Sequence, residues 1–148
     1  MTNASDLKQY CTFYLAGHCF GINVLEVQEV FRYQEMTGIP MAPQVARGLI
    51  NLRGQIILAI DLRLRLGLDE SETDRIPMNV VVRTGGEVVS LLVDAIGDVL
   101  EVPDNEYESP PDTLPPAMRD LISGVYKLEK ELLLILNTGR VMSLTAAA

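Results

Sequence analysis

One apolar pattern occurs twice in this chain, and that repetition constrains its fold more than any single motif. Gly21-Ile-Asn-Val24-Leu-Glu-Val27-Gln-Glu29-Val30 lines up with Ser90-Leu-Leu-Val93-Asp-Ala-Ile96-Gly-Asp98-Val99. Gly48–Asp61 lines up with Gly124–Asn137, placing Leu52 opposite Leu128 and Ile56–Ile60 opposite Leu132–Leu136. The order within each copy is hairpin, strand, proline-containing loop, hairpin. Two diverged copies of a unit of roughly 70 residues follow from this spacing. Strands this short, five to a copy, curl into two small barrels rather than one open sheet. With 148 residues, the chain has room for one domain, or for two very small ones sharing a core. Aromatics are only 5% of the residues and Trp is absent, so Val, Leu and Ile must build that core.

The local signals are those of a β protein. Tyr10–Leu15 alternates, with Cys11, Phe13 and Leu15 on one face; Ala16-Gly17-His18 turns, and Cys19–Val24 returns. Val24, Val27 and Val30 read as a helical turn or a bent strand, and Gln44–Arg47 as one short helical turn after Pro40 and Pro43. Strands flank the Asn51–Gly54 corner, and a short helix capped by Asp61 runs to Leu66. Residues 67–77 form a polar linker. Met78–Arg83 and Val88–Val93 make a second hairpin around Gly85-Gly86. Val99–Val102 is a strand, and residues 103–118, with Pro103, Pro110, Pro111, Pro115 and Pro116, form an irregular excursion. Ile122–Leu128 and Leu132–Leu136 close the pattern before a short helix from about Thr138 to Leu144. Residues 1–8 read as a polar, frayed end.

Within this frame the corner Asn51-Leu52-Arg53-Gly54 stands out. Gly54 permits a tight turn and leaves Arg53 where its side chain is hard to bury. A guanidinium on a strand corner is an anchor for a carboxylate on another surface; the plain alternative is a solvated arginine on a hairpin. The repeat bears on that choice. Arg53 aligns with Glu129 and Gly54 with Lys130, so only the first copy has the Arg corner. Framework positions recur in both copies, whereas site residues need not.

Net charge is −8, which makes nucleic acid and anionic membrane poor partners. Arg32, Arg47, Arg53, Arg63 and Arg65 fall close together in sequence and predict a local basic face suited to an acidic protein partner. Cys11 and Cys19 read as small buried hydrophobes rather than a disulfide. With no leader and no long apolar run, the expected location is a reducing cytoplasm, without direct membrane insertion.

Catalytic chemistry is sparse. His18 is the one histidine and sits in a turn; with two cysteines at this spacing it matches no zinc pattern. No phosphate loop, dinucleotide fingerprint or nucleophile elbow occurs, so no cofactor, catalytic group or metal ligand is expected. One enzyme reading can be framed. Asp61 and Asp94 each end an apolar strand, as the paired carboxylates of aspartic proteases, a class of acid hydrolase, do. Leu62-Arg63 and Ala95-Ile96 follow them instead of the small hydroxyl residue and glycine such enzymes need. The two also fall at non-equivalent places of the repeat, opposite Asn137 and Leu25, so a helix cap and a turn are the better readings.

From Tyr14 to Leu66 the chain resembles the CheW-type adaptors of bacterial chemotaxis. The residues that carry the resemblance are Phe20-Gly-Ile-Asn-Val24, Val27-Gln-Glu-Val30, Pro40, Pro43, Gly48, Asn51-Leu-Arg-Gly54 and Ile60-Asp-Leu-Arg63. Val93-Asp94, Val99-Leu100 and Gly124-Val125 extend it, so that it covers about residues 9–144. It implies an all-β fold with a few short helices: two five-stranded SH3-like barrels packed on a shared apolar interface. The expected organisation is a single domain over 9–144, with interleaved subdomains at approximately 20–75 and 90–144 and room for strand exchange. It implies a non-enzymatic scaffold joining a chemoreceptor's cytoplasmic tip to the regulatory domain of a CheA-type histidine kinase, at membrane-associated receptor arrays. An adaptor of a related pathway, in pilus motility or development, fits the same residues. The family's Arg and Glu carry over as Arg53 and Glu29, expected to lie near each other on a contact face with Val27, Gly48, Leu49, Asn51 and Gly54.

Overall fold

A computed structural model describes residues 7–32, 35–68 and 76–143. The 67–77 linker, the polar N-terminal end and Leu144 therefore fall partly or wholly outside the described residues. Ten strands run in the order β1 (Leu7–Leu15), β2 (His18–Asn23), β3 (Val27–Arg32), β4 (Ala46–Leu52), β5 (Gln55–Asp61), β6 (Met78–Thr84), β7 (Glu87–Val93), β8 (Ala95–Pro103), β9 (Ile122–Lys127) and β10 (Leu132–Leu136). Three short helices accompany them: α1 (Leu62–Arg65), α2 (Pro116–Arg119) and α3 (Thr138–Met142). Val24–Glu26 forms the helical turn, and Val27 then begins a strand. Gln44 and Val45 make a turn rather than a helix, because Ala46 already enters β4.

The duplication appears directly in the topology. One five-stranded sheet has the order β8-β1-β2-β10-β9 and the other β3-β6-β7-β5-β4. Each holds a hairpin from one half of the chain, a second hairpin joined to it in parallel (β2 with β10, β7 with β5), and an edge strand delivered by the neighbouring sheet. The chain crosses between the sheets at Val24–Glu26 and again at Asp94, so β3 leaves the sheet of β2 and β8 leaves that of β7. A bulge recurs too. Gln28 is the extra residue between the pairs Val27–Val82 and Glu29–Val81, and β8 carries one between Val99 and Ile96.

The runs Val80–Val82 and Leu133–Leu136 lack alternation because both of their faces are buried. Leu134 and Leu136 enter a core shared by the two sheets, together with Phe13, Phe20, Ile60, Val80, Val82 and Leu91. Leu133 and Ile135, on the other face of β10, pack with Tyr10, Cys19 and Tyr126 inside their own sheet. The second sheet encloses Leu52, Ile57 and Val81 in the same way. One deeply buried polar group is satisfied internally: Ser90 Oγ donates to Asn79 Oδ1 at 2.8 Å, and Asn79 Nδ2 donates to the Arg32 carbonyl at 3.2 Å. Cys11 and Cys19 are free thiols, and burial pushes that of Cys19 up.

Candidate functional site

The Arg53 corner is a two-residue hairpin loop between Leu52 and Gln55, which pair directly. Arg53 and Gly54 both have positive φ, 53° and 86°, the combination that matches the right-handed twist of the flanking strands. Asn51 braces the turn by accepting a hydrogen bond from the Gly54 amide at 2.9 Å. Arginine in this backbone region is strained, by a cost of about 1 kcal/mol.

That turn aims the guanidinium at Glu29. Arg53 Nη1 donates to Oε2 at 2.8 Å and Nη2 to Oε1 at 2.7 Å, a planar two-pronged fork. The two residues come from opposite ends of the strand order, Glu29 from edge strand β3 and Arg53 from the corner beyond β4. The sheet therefore curls until its two ends meet at this pair. The Arg53 side chain is 75% exposed and that of Glu29 23%. Such an exposed pair adds at most about 1 kcal/mol to stability; its main physical effect is to fix the shape and charge of the surface around it.

The other candidates divide. Asn51 and Gly54 are exposed beside Arg53. Val27 is half-buried against the shared core. Gly48 is buried, and a Cβ there would lie 2.8 Å from the Thr37 carbonyl oxygen and 2.9 Å from Met36 Cβ. Leu49 exchanges two backbone hydrogen bonds with Thr37, at 2.9 and 2.8 Å. The structure thus gathers Glu29, Asn51, Arg53 and Gly54 at the corner, and places Gly48 and Leu49 beneath a covering segment.

Ile56 was not among the candidates, yet it is 60% exposed and pairs with Asn51. Its repeat partner Leu132 is also exposed, at 37%, as are Val30 and Val99 at equivalent places on the two edge strands. The sequence carried no signal for this: Ile56 opens an uninterrupted apolar run to Ile60, and only the structure shows it turned outward while Ile57 enters the core.

Four of the five clustered arginines, all but the exposed Arg32, are taken up by partners within the chain rather than forming a free basic face. Arg47 pairs with Asp61 at 3.4 Å, Arg53 with Glu29, and Arg63 with Asp94, while Arg65 donates to backbone carbonyls. Acidic side chains or carbonyls meet them one by one, which closeness in sequence could not reveal. The same contacts account for the aspartates. Asp61 caps α1 through the Leu64 amide at 3.2 Å. Asp94 accepts from Arg63 Nε at 3.1 Å, from Nη2 at 2.5 Å and from the Ala16 amide at 3.1 Å. The hydrogen bond to Asp94 raises the pKa of Arg63 further. Each carboxylate is occupied by its own arginine and a backbone amide, so the two do not form a catalytic pair. Among the described residues, no group of three or more His, Cys, Asp or Glu side chains could hold a metal ion, and no helix is long and apolar enough to cross a membrane.

Comparison with known proteins adds an independent line. The CheW-like domain model matches residues 9–146. Chemotaxis protein CheW of Rhizobium meliloti is 31% identical over 134 residues, covering 87% of this chain and 86% of that protein. The Bacillus subtilis protein of the same name is 31% identical over 135 residues, covering 91% and 86%. The crystal structure of scaffolding protein TtCheW from Thermoanaerobacter tengcongensis superposes with a TM-score of 0.82 at 29% identity, covering 93% of each chain. Sequence, fold and duplicated topology agree: the chain belongs to the CheW-like domain family.

Proposed function

We propose that this protein is a signalling scaffold of bacterial chemotaxis, coupling chemoreceptors to a CheA-type histidine kinase. It holds the receptor's cytoplasmic tip and the kinase's regulatory domain at once, and works in the cytoplasm at membrane-associated receptor arrays. The observation that carries this reading is the Arg53–Glu29 fork. It is exposed, geometrically rigid, built on a strained turn and present in only one of the two copies. A charged pair of that kind contributes orientation and specificity to a protein interface more than it contributes stability. Val27, Gly48 and Leu49 support the face from within, and Asn51, Gly54 and the exposed Ile56 complete its surface. The catalytically unremarkable aspartates and the kinship with a protein described as a scaffold favour binding over chemistry.

The test is co-capture. Immobilised receptor tip is incubated with the kinase regulatory domain, with and without this chain. Kinase domain retained only when the chain is present is the expected result. Equal retention in both cases, or none in either, contradicts the reading.

A further inference from the structure

The shared apolar core holds the two sheets together, but apolar contact is non-directional and does not by itself set the angle between them. Directional contacts are therefore informative where they join one sheet's elements to the other's. One such set lies between the two equivalent helices. α1 follows β5 and is capped by Asp61; α3 follows β10 and is capped by Asn137, which accepts from the Arg140 amide at 3.1 Å. Leu62 and Leu66 at the first helix, and Val141 and Met142 at the second, all enter the shared core.

Above that core, the half-buried Arg65 reaches from α1 to the end of α3. Its Nε donates to the Val141 carbonyl at 3.0 Å, and its Nη2 donates to the Arg140 and Ser143 carbonyls at 2.7 and 3.2 Å. These are end-of-helix carbonyls, which a five-residue helix leaves largely without partners of its own. A planar guanidinium can meet all three at once, whereas an ammonium is a single point of donation. The repeat places Arg65 opposite Val141, so this fork exists on one side of the duplication only. Two further ties, Thr138 to Glu26 and Arg63 to Asp94, pin the crossovers where the chain already passes between sheets. Arg65 differs in joining the far ends of the two halves.

We propose that Arg65 is a positioning residue: by capping α3 from α1 it fixes the relative orientation of the two sheets, and with it the angle at which two partners are held. The second half of this statement rests on the adaptor reading and on the two partners binding on different sheets; the first does not.

Both halves can be tested on the full chain with Arg65→Ala and Arg65→Lys. Spin labels at the exposed positions 87, the start of β7, and 130, in the β9–β10 turn, one on each sheet, are placed in a background where Cys11 and Cys19 are alanine. The parent is expected to give one narrow distance and both variants a broadened one. Each partner alone should bind within about twofold of the parent, while co-capture of kinase domain on receptor tip should fall about tenfold. Unchanged distance distributions overturn the proposal, and broadened ones with undiminished co-capture overturn the role assigned to the angle. If Arg65→Ala does not fold, as circular dichroism would show, Arg65→Lys decides. A parent that captures neither partner contradicts the adaptor reading, and the distance measurement still judges the clamp.

Discussion

At the β4–β5 corner a guanidinium crosses to Glu29 and ties the two ends of its sheet together. At the β9–β10 corner the equivalent residues are Glu129 and Lys130, and Asp98 stands where Glu29 stands in the first copy. The first corner has two consecutive residues at positive φ, whereas the second has none. Gly54 accepts the left-handed conformation more readily than Lys130 would, and the second loop is longer, with residues 128–131 between the paired Lys127 and Leu132. The framework around the corners is nevertheless the same, with matching strand order, bulged edge strands and capped helices. Even the cover recurs. Thr37 bridges Leu49 and Glu108 bridges Val125, each passing over the glycine just before, Gly48 or Gly124. What the copies share is what the fold requires; what they do not share marks where function has been added.

Substitutions at paired positions can break or sharpen that comparison. The largest effect is expected at the covered glycines. In Gly48→Ala the new methyl meets a backbone carbonyl that cannot swing aside, at a cost of about 3 kcal/mol. In Gly124→Ala it meets the ring of the partly exposed Tyr107, which can rotate away, at about 1.5 kcal/mol. Chemical denaturation of both variants measures the order, and equal losses would remove the distinction between the two covers. Next comes the crossover. Asp94→Ala strips Arg63 and the Ala16 amide of their acceptor and should cost about 2 kcal/mol. Leu25→Ala, at the equivalent and highly exposed position, should leave the melting temperature unchanged.

A smaller effect is expected in alkali. Burial, reinforced by the Tyr10 hydroxyl, pushes the Tyr126 phenol well above its usual value of 10.0. The folded state therefore keeps a proton that the unfolded chain releases, so stability should begin to fall above pH ~10. Tyr126→Phe should flatten that decline in a urea-midpoint series against pH. A small effect is also expected for Arg53→Gly. It removes the ion pair and relieves the backbone, and should change stability by less than about 1 kcal/mol.

Much of this was legible in the residues. The repeat could be read because apolar positions keep their spacing even where identities diverge, and the Arg53–Glu29 pair followed from the motifs that carry the family resemblance. Other features were hidden for physical reasons. The spacing of Val24, Val27 and Val30 fits a helical turn or a bent strand and does not say which hairpin lies against it, so the exchange of β3 and β8 between sheets left no local trace. Gly48 looked like part of an open face because a glycine kept for close backbone approach is indistinguishable in sequence from one kept for a turn. The arginines looked like a basic patch because their acidic partners Glu29 and Asp94 and the α3 carbonyls lie far away along the chain.

The most direct measurement is a titration of the receptor's cytoplasmic tip onto three folded forms of the chain: native, Arg53→Glu and Glu129→Lys, with circular dichroism as the control for folding. The two variants reverse a charge at equivalent corners of the duplication. Affinity should fall at least about thirtyfold for Arg53→Glu and stay within about twofold for Glu129→Lys. Equal effects at both corners, or native affinity in Arg53→Glu, would contradict the assignment of the contact face to the first copy.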